Sequence, residues 1–193
     1  MTQSDLMMIE TEDTPNPATL KFLPGRDVTG GRPPVDFAEA GVVAGRSALA
    51  DALFSMTDVK RVFLGSDFVS VTKDDGADWD ALRPQILVAL TDFFKSGKPV
   101  LAENIAAPEA DIFPEDSEVV ARVKELLDTR VRPAVASDGG DIVFRGYREG
   151  VVYLSMQGAC SGCPSSRATL RHGVENMLRH YIPEVTAVEP VEE

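Results

Sequence analysis

The chain of 193 residues carries 31 acidic against 19 basic side chains, a net charge of −12, which disfavours nucleic acid and anionic membrane surfaces because both are bound through clustered Lys and Arg. Hydrophobic residues at 44% and charged residues at 26% fit ordinary globular folding and exclude a chain disordered throughout. The length suits two small domains, and no apolar run approaches that of a transmembrane helix.

The first basic residue is Lys21, so the N-terminal stretch fits neither a signal peptide nor an Arg-rich transit peptide. A cytoplasmic location such as the bacterial cytosol is expected, with an organelle matrix left open. In a reducing compartment two close cysteines point to metal ligation or redox chemistry rather than to a structural disulfide.

Leu6 to Glu12 and Thr19 to Leu23 read as two strands around the turn Thr14-Pro15-Asn16-Pro17. Gly25 to Pro34 reads as loop, and Ser47 as the cap of a short helix with Leu49, Leu53 and Met56 on one side. Lys60 to Leu64 and Phe68 to Thr72 form a second hairpin across Gly65-Ser66-Asp67. From Trp79 to Lys95 apolar residues recur at helical spacing and Gly97 marks the end, although Pro84 argues for a start a few residues later. Trp79 is expected in the core. Asp67, Asp74 and Asp75 lack the ligand spacing of a calcium loop and read as solvated turns. These residues amount to a small α+β domain over 1–98 without a catalytic constellation.

Residues 99–114 alternate Pro, Ala and acids and read as a linker. Its charge could serve a basic partner, but a solvated run is the plainer reading. The second domain, 115–193, opens with a helix carrying Val119, Val120, Val123, Leu126, Leu127 and Val131 on one face, which is expected to stop before Pro133. Ser137-Asp138-Gly139-Gly140 is a turn, Asp141 to Tyr147 a strand, Arg148-Glu149-Gly150 a hairpin loop, and Val151 to Met156 the returning strand. A final helix spans about Ser165 to Tyr181, and Val185 to Val188 adds an edge strand. The fold class is α+β: two small domains, each a short mainly antiparallel sheet with helices packed on it.

Cys160 and Cys163 are the only cysteines. They form one C-x-x-C between a strand and a helix that Pro164 suits as first residue, where the helix N-terminus is expected to lower a thiol's pKa. Asp138 and Asp141 flank the glycines near this loop and read as turn formers rather than ligands. His172 and His180, eight apart on the last helix, read as surface residues. A thioredoxin-like dithiol would need a βαβ unit, whereas a helix and an antiparallel hairpin precede Cys160. Zinc or an iron–sulfur cluster would need two further ligands that the domain does not offer. Two chains about a two-fold axis supply them, one C-x-x-C each. A cluster so held, near solvent, is easier to hand over than one enclosed by four ligands of a single domain.

Arg132-Pro133-Ala134-Val135-Ala136-Ser137-Asp138-Gly139-Gly140-Asp141-Ile142, followed by Gly158-Ala159-Cys160-Ser161-Gly162-Cys163-Pro164-Ser165-Ser166, closely resembles the C-terminal domain of NifU and the Nfu-type iron–sulfur proteins. Thr14-Pro15-Asn16-Pro17-Ala18-Thr19-Leu20-Lys21-Phe22 and Gly65-Ser66-Asp67-Phe68-Val69-Ser70-Val71-Thr72-Lys73 resemble the Nfu N-terminal domain. The resemblance implies a non-enzymatic carrier that receives an assembled cluster, usually [4Fe-4S] and otherwise [2Fe-2S], shared between the chains of a homodimer. It implies Cys160 and Cys163 as the ligands, an upstream scaffold or carrier as donor, and apo iron–sulfur proteins as recipients. A primary assembly scaffold and a thiol–disulfide oxidoreductase stay open as other readings of the same motif.

Overall fold

The computed structural model describes residues 8–103, 105, 117–162 and 164–191, with the side chains of 164–166 excepted. The chain divides into two compact units, Met1–Ala106 and Ala107–Glu193, each with its own sheet and core.

In the first unit β1 (Glu10–Asp13) and β2 (Thr19–Leu23) form the expected hairpin; Leu6 lies outside the described residues. The turn between them is tied by Asn16, buried, whose Oδ1 accepts from Ala18 N (3.0 Å), and by Thr14, whose hydroxyl donates to Thr19 O (2.9 Å). β3 (Val35–Phe37) is a short edge strand that the sequence did not announce, since it follows the prolines of a loop. α1 (Ala48–Phe54) starts at Ser47, whose hydroxyl accepts from Ala50 N (3.1 Å) and donates to Val100 O (2.8 Å). β4 (Val59–Leu64) and β5 (Val69–Lys73) complete a sheet of order β1-β2-β5-β4-β3.

Register decides what each face of this sheet does. Leu20 and Val62 flank Val71, and Phe22 and Leu64 flank Val69, which makes one continuous apolar face. On the other face Thr19 and Thr72 share a 2.7 Å hydroxyl hydrogen bond, and the Lys21 ammonium lies 4.9 Å from the Phe68 ring centroid. α2 (Trp79–Lys95) adds Leu82, Ile86, Leu90, Phe93 and Phe94 to the core.

Three expectations change here. α2 begins at Trp79, five residues before Pro84, because the Asp78 carboxylate caps it and Leu82 N donates to Asp78 O (3.0 Å), so the missing Pro84 donor is tolerated on an exposed position. Trp79 is half-buried rather than fully core; its Nε1 donates to Pro17 O (3.1 Å) and ties α2 to the β1–β2 turn. The first domain also runs past Lys98: Val100 and Leu101 are buried in its core, and Ala102 N donates to Arg46 O (2.9 Å). Residues 106–114 of the expected linker lie outside the described residues.

In the second unit α3 (Glu118–Leu126) does not stop before Pro133. It passes through one π turn, Leu127–Val131, and continues as α4 (Arg132–Ser137), with Pro133 in the first turn of the new segment. The wider turn re-registers the helix, so that Pro133 falls where a donor is dispensable. Val123, Leu127, Val131 and Val135 all reach the core. β6 (Gly140–Arg148) and β7 (Val151–Gly158) pair antiparallel through a two-residue turn at Glu149 (φ 51°) and Gly150 (φ 85°). α5 (Pro164–Tyr181) then returns the chain to β8 (Ala187–Pro190), which pairs parallel with β7. α5 also dresses the outer edge of β8: Arg171 Nε donates to Val188 O (2.8 Å), and Val188 N donates to a Glu175 carboxylate oxygen (3.0 Å).

Candidate functional site

The sequence places its cysteines after the central strand of the second sheet, and the structure shows what holds the first of them. β7 ends at Gly158 (φ 64°), where the chain turns. Ser161 closes the turn through its N–H (3.2 Å) and its hydroxyl (2.9 Å), both donating to Gly158 O. Ala159 N donates to Gly139 O (3.2 Å), so the loop rests on the start of β6. Cys160 is 6% exposed and packs with the core of the unit, while Gly162 is exposed. Cys163 lies outside the described residues, and α5 opens at Pro164 directly after it.

Gly140 is the residue that sequence reasoning undervalued. It pairs with Gly158 across the hairpin, which brings it under the cysteine two positions on. A Cβ at Gly140 would stand 2.8 Å from Cys160 Sγ and 2.6 Å from Gln157 O, so only a glycine leaves the sulfur its space. The available signal was the pairing of two glycine-bearing strand ends, Gly139-Gly140 with Gly158, once the hairpin register was fixed.

Arg132, which follows the π turn, supports the same strand end. Its Nε and Nη2 donate to the two carboxylate oxygens of Asp141 (2.9 and 2.7 Å), and its Nη1 donates to Asp128 (3.1 Å). Asp141 is buried and also accepts from Ile142 N (2.8 Å). The hydrogen bonds it donates to Asp141 hold the Arg132 guanidinium well above its ordinary pKa despite partial burial. Asp141 therefore fastens β6 to α4 from within the strand, rather than forming the turn expected of it. Asp138 is exposed at the end of α4, and His172 and His180 are exposed on α5.

The expected lowering of the thiol pKa is not what this geometry gives. Burial, with the nearby carboxylates of Asp138 and Asp141 adding to it, pushes Cys160 up to about 12. The loop also opens a βαβ unit after all, because α5 brings β8 parallel to β7. Topology thus no longer separates this motif from a redox dithiol; an attacking sulfur must be ionised and reachable, and Cys160 in this conformation is neither. Among the described residues no group of three or more His, Cys, Asp or Glu side chains could hold a metal ion.

A pH dependence follows for the cluster-free protein. The unfolded chain loses the Cys160 proton near pH 9, whereas the folded protein keeps it to about 12. The folded state then binds more protons in that window, so the stability contributed by the neutral thiol, fully present below about pH 9, is lost as pH rises toward 12. Urea midpoints compared from about pH 8 to about pH 11 are expected to fall more steeply for the native protein than for Cys160→Ala. Parallel declines would mean that the thiol is not held as described.

Comparison with known proteins fits this architecture. Residues 9–97 match the family model "Scaffold protein Nfu/NifU N terminal", and residues 123–189 match "NifU-like domain". A protein of Drosophila sechellia named "NFU1 iron-sulfur cluster scaffold homolog, mitochondrial" is 54% identical over 187 residues, covering 96% of this chain and 65% of its own. One of the same name from Drosophila virilis is 50% identical over 185 residues, covering 96% of this chain and 62% of its own. The chain therefore spans a little under two thirds of the length of these relatives. A solution NMR structure of a NifU-like protein from Saccharomyces cerevisiae, 28% identical, aligns over 54% of this chain and 92% of that one with a TM-score of 0.48. With an Nfu N-terminal domain followed by a NifU-like domain, the chain belongs to the Nfu/NifU family.

Proposed function

We propose that this protein is a non-enzymatic carrier of iron–sulfur clusters, which binds a labile [4Fe-4S] cluster between two copies of itself and passes it to apo-proteins during cluster biogenesis. The cluster is cargo, held by Cys160 and Cys163 of each chain. The observation that carries the reading is the half-site: a single C-x-x-C in the sequence and, among the described residues, no further group able to complete a metal site. Cubane clusters are commonly held by four thiolates, and a two-fold axis supplies the missing pair without new sequence. The names of the Drosophila relatives support the coarser role in cluster biogenesis.

The chemistry of the loop fits the cargo. Thiolates are the soft ligands that iron–sulfur clusters select, and Gly140 gives Cys160 Sγ its inward seat until loading. Because Cys160 is buried and protonated in the cluster-free state, loading must turn the sulfur outward and release its proton. Gly158, with its positive φ, and Gly162 bracket the segment that moves. Transfer then consists of acceptor thiolates replacing those of the carrier one at a time. A reducing compartment, the cytosol or an organelle matrix, is the expected setting.

The relatives' names say scaffold, which keeps assembly of the cluster from iron and sulfide as the second reading. One experiment separates the two. Loaded protein is mixed with an apo-enzyme that requires [4Fe-4S], with an iron chelator present. Activation of the acceptor at the rate at which the donor loses its visible absorption supports direct transfer. Activation that the chelator abolishes, or that needs added sulfide and a desulfurase, supports assembly instead.

A further inference from the structure

Arg122, Glu125, Leu126, Thr129, Arg130 and Tyr181 line a notch of about 300 Å³ where the π turn passes the end of α5. Tyr181 is its centrepiece, with 41% of its surface exposed, which is unusual among the large apolar residues of this chain. An arginine stands on either side of it. Arg122 Nη2 donates to Tyr181 O (2.7 Å), satisfying a carbonyl at the helix end, and the Arg130 guanidinium lies 4.9 Å from the Tyr181 ring centroid. In a chain with 31 acids, Arg61, Arg132 and Arg171 each pair with a carboxylate. Among the described residues Arg122 and Arg130 have none.

We infer that this notch docks a short acidic, partly apolar peptide segment of a partner protein. The Arg130 guanidinium lies over the Tyr181 ring, and its planar fork is pre-organised to meet a carboxylate bidentately. Arg122 offers a second fork, and half-buried Leu126 with the open part of the Tyr181 ring offers apolar contact between them. Bulges of the π type recur where a helix serves a site, and the π turn here carries Arg130 into the notch. A short peptide also suits the charge balance better than a nucleic acid or an anionic vesicle, because the net charge of −12 repels an extended polyanion. The inference does not depend on cluster loading.

The test uses the full chain, free of cluster, and a fluorescein-labelled hexapeptide Glu-Glu-Phe-Leu-Glu-Glu followed by anisotropy. Saturable binding is expected, weakened about tenfold or more by Arg130→Gln, since charge-assisted hydrogen bonds are lost. Arg130→Glu, an exchange at an exposed site whose folding is checked by its melting curve, is expected to reject this peptide and accept the version with Lys in place of Glu. No binding by the native chain up to about millimolar peptide, equal binding by Arg130→Gln, or failure of the charge exchange in a folded Arg130→Glu variant would overturn the proposal. So would stronger Arg130-dependent binding of a single-stranded oligonucleotide or of phosphatidylserine vesicles.

Discussion

Cys163→Ser is expected to abolish cluster binding while leaving the fold largely intact. After anaerobic reconstitution the variant should show neither the thiolate-to-iron absorption nor acid-labile sulfide, because a bridged cluster would keep only two of four thiolates. Its melting curve should stay close to that of the native protein, since the exchange replaces one side-chain atom, sulfur by oxygen. Cys160 is part of the core of the second unit, and a serine there would bury a hydroxyl at a cost of about 1–3 kcal/mol unless it found a partner. Cys160→Ala is therefore the cleaner variant, and it too should load no cluster. Retention of iron and sulfide by either variant, or global unfolding of Cys163→Ser, would contradict the site as described.

Gly140→Ala should have the second largest effect, although it changes no proposed ligand. The added Cβ would stand 2.6 Å from the Gln157 carbonyl oxygen and 2.8 Å from Cys160 Sγ. One neighbour is backbone, so relief requires the hairpin or the cysteine loop to shift. Such overpacking costs about 1–3 kcal/mol, and each kcal/mol lowers the melting temperature of a domain this size by about 4–8 °C. Because the added Cβ crowds the inward seat that Cys160 leaves on loading, cluster retention should fall no further than the loss of stability explains. Gly173→Ala is the matched control: it lies on α5 with open space around a new Cβ, and Ala is the better helix former by about 0.5–1 kcal/mol. If both variants melt and load alike, Gly140 has no special relation to the cysteine.

Much of the fold could be read from local pattern. Ser47 at a cap, the apolar repeat of α2, the hairpins β4–β5 and β6–β7 and the strand–loop–helix around Cys160 all depend on short-range chemistry, and the structure has them within a residue or two. What the sequence hid was decided by partners distant in the chain. β3 is three residues long and exists because Val35 to Phe37 meet the edge of β4. Pro133 reads locally as a stop, and the π turn that accommodates it is favoured by four valine and leucine positions that all reach the core. Trp79 reads as core by type, yet its indole N–H finds the Pro17 carbonyl and stays at the rim.

At the site itself the sequence shows the C-x-x-C and its place between a strand and a helix, but not the electrostatics of Cys160. A cysteine before a helix reads as an activated thiol, but activation requires that the sulfur face the helix end or solvent. Here the turn at Gly158 and the glycine beneath it let Cys160 fold inward, and burial outweighs any pull from the helix. Arg132 stood inside a quoted motif without a role. Its bidentate grip on Asp141 depends on where α4 begins, and that depends on the π turn.

The bridged half-site is tested most directly by iron and acid-labile sulfide per chain after anaerobic reconstitution, with the mass of the same sample determined in parallel. Two thiolates per chain and four per cluster require a dimer carrying about two irons and two sulfides per chain for [4Fe-4S], or about one of each for [2Fe-2S]. The first of these is the expected result. A monomer that retains its full complement of iron and sulfide, zinc bound in place of sulfide, or a metal-free monomer that cycles a Cys160–Cys163 disulfide would contradict the account.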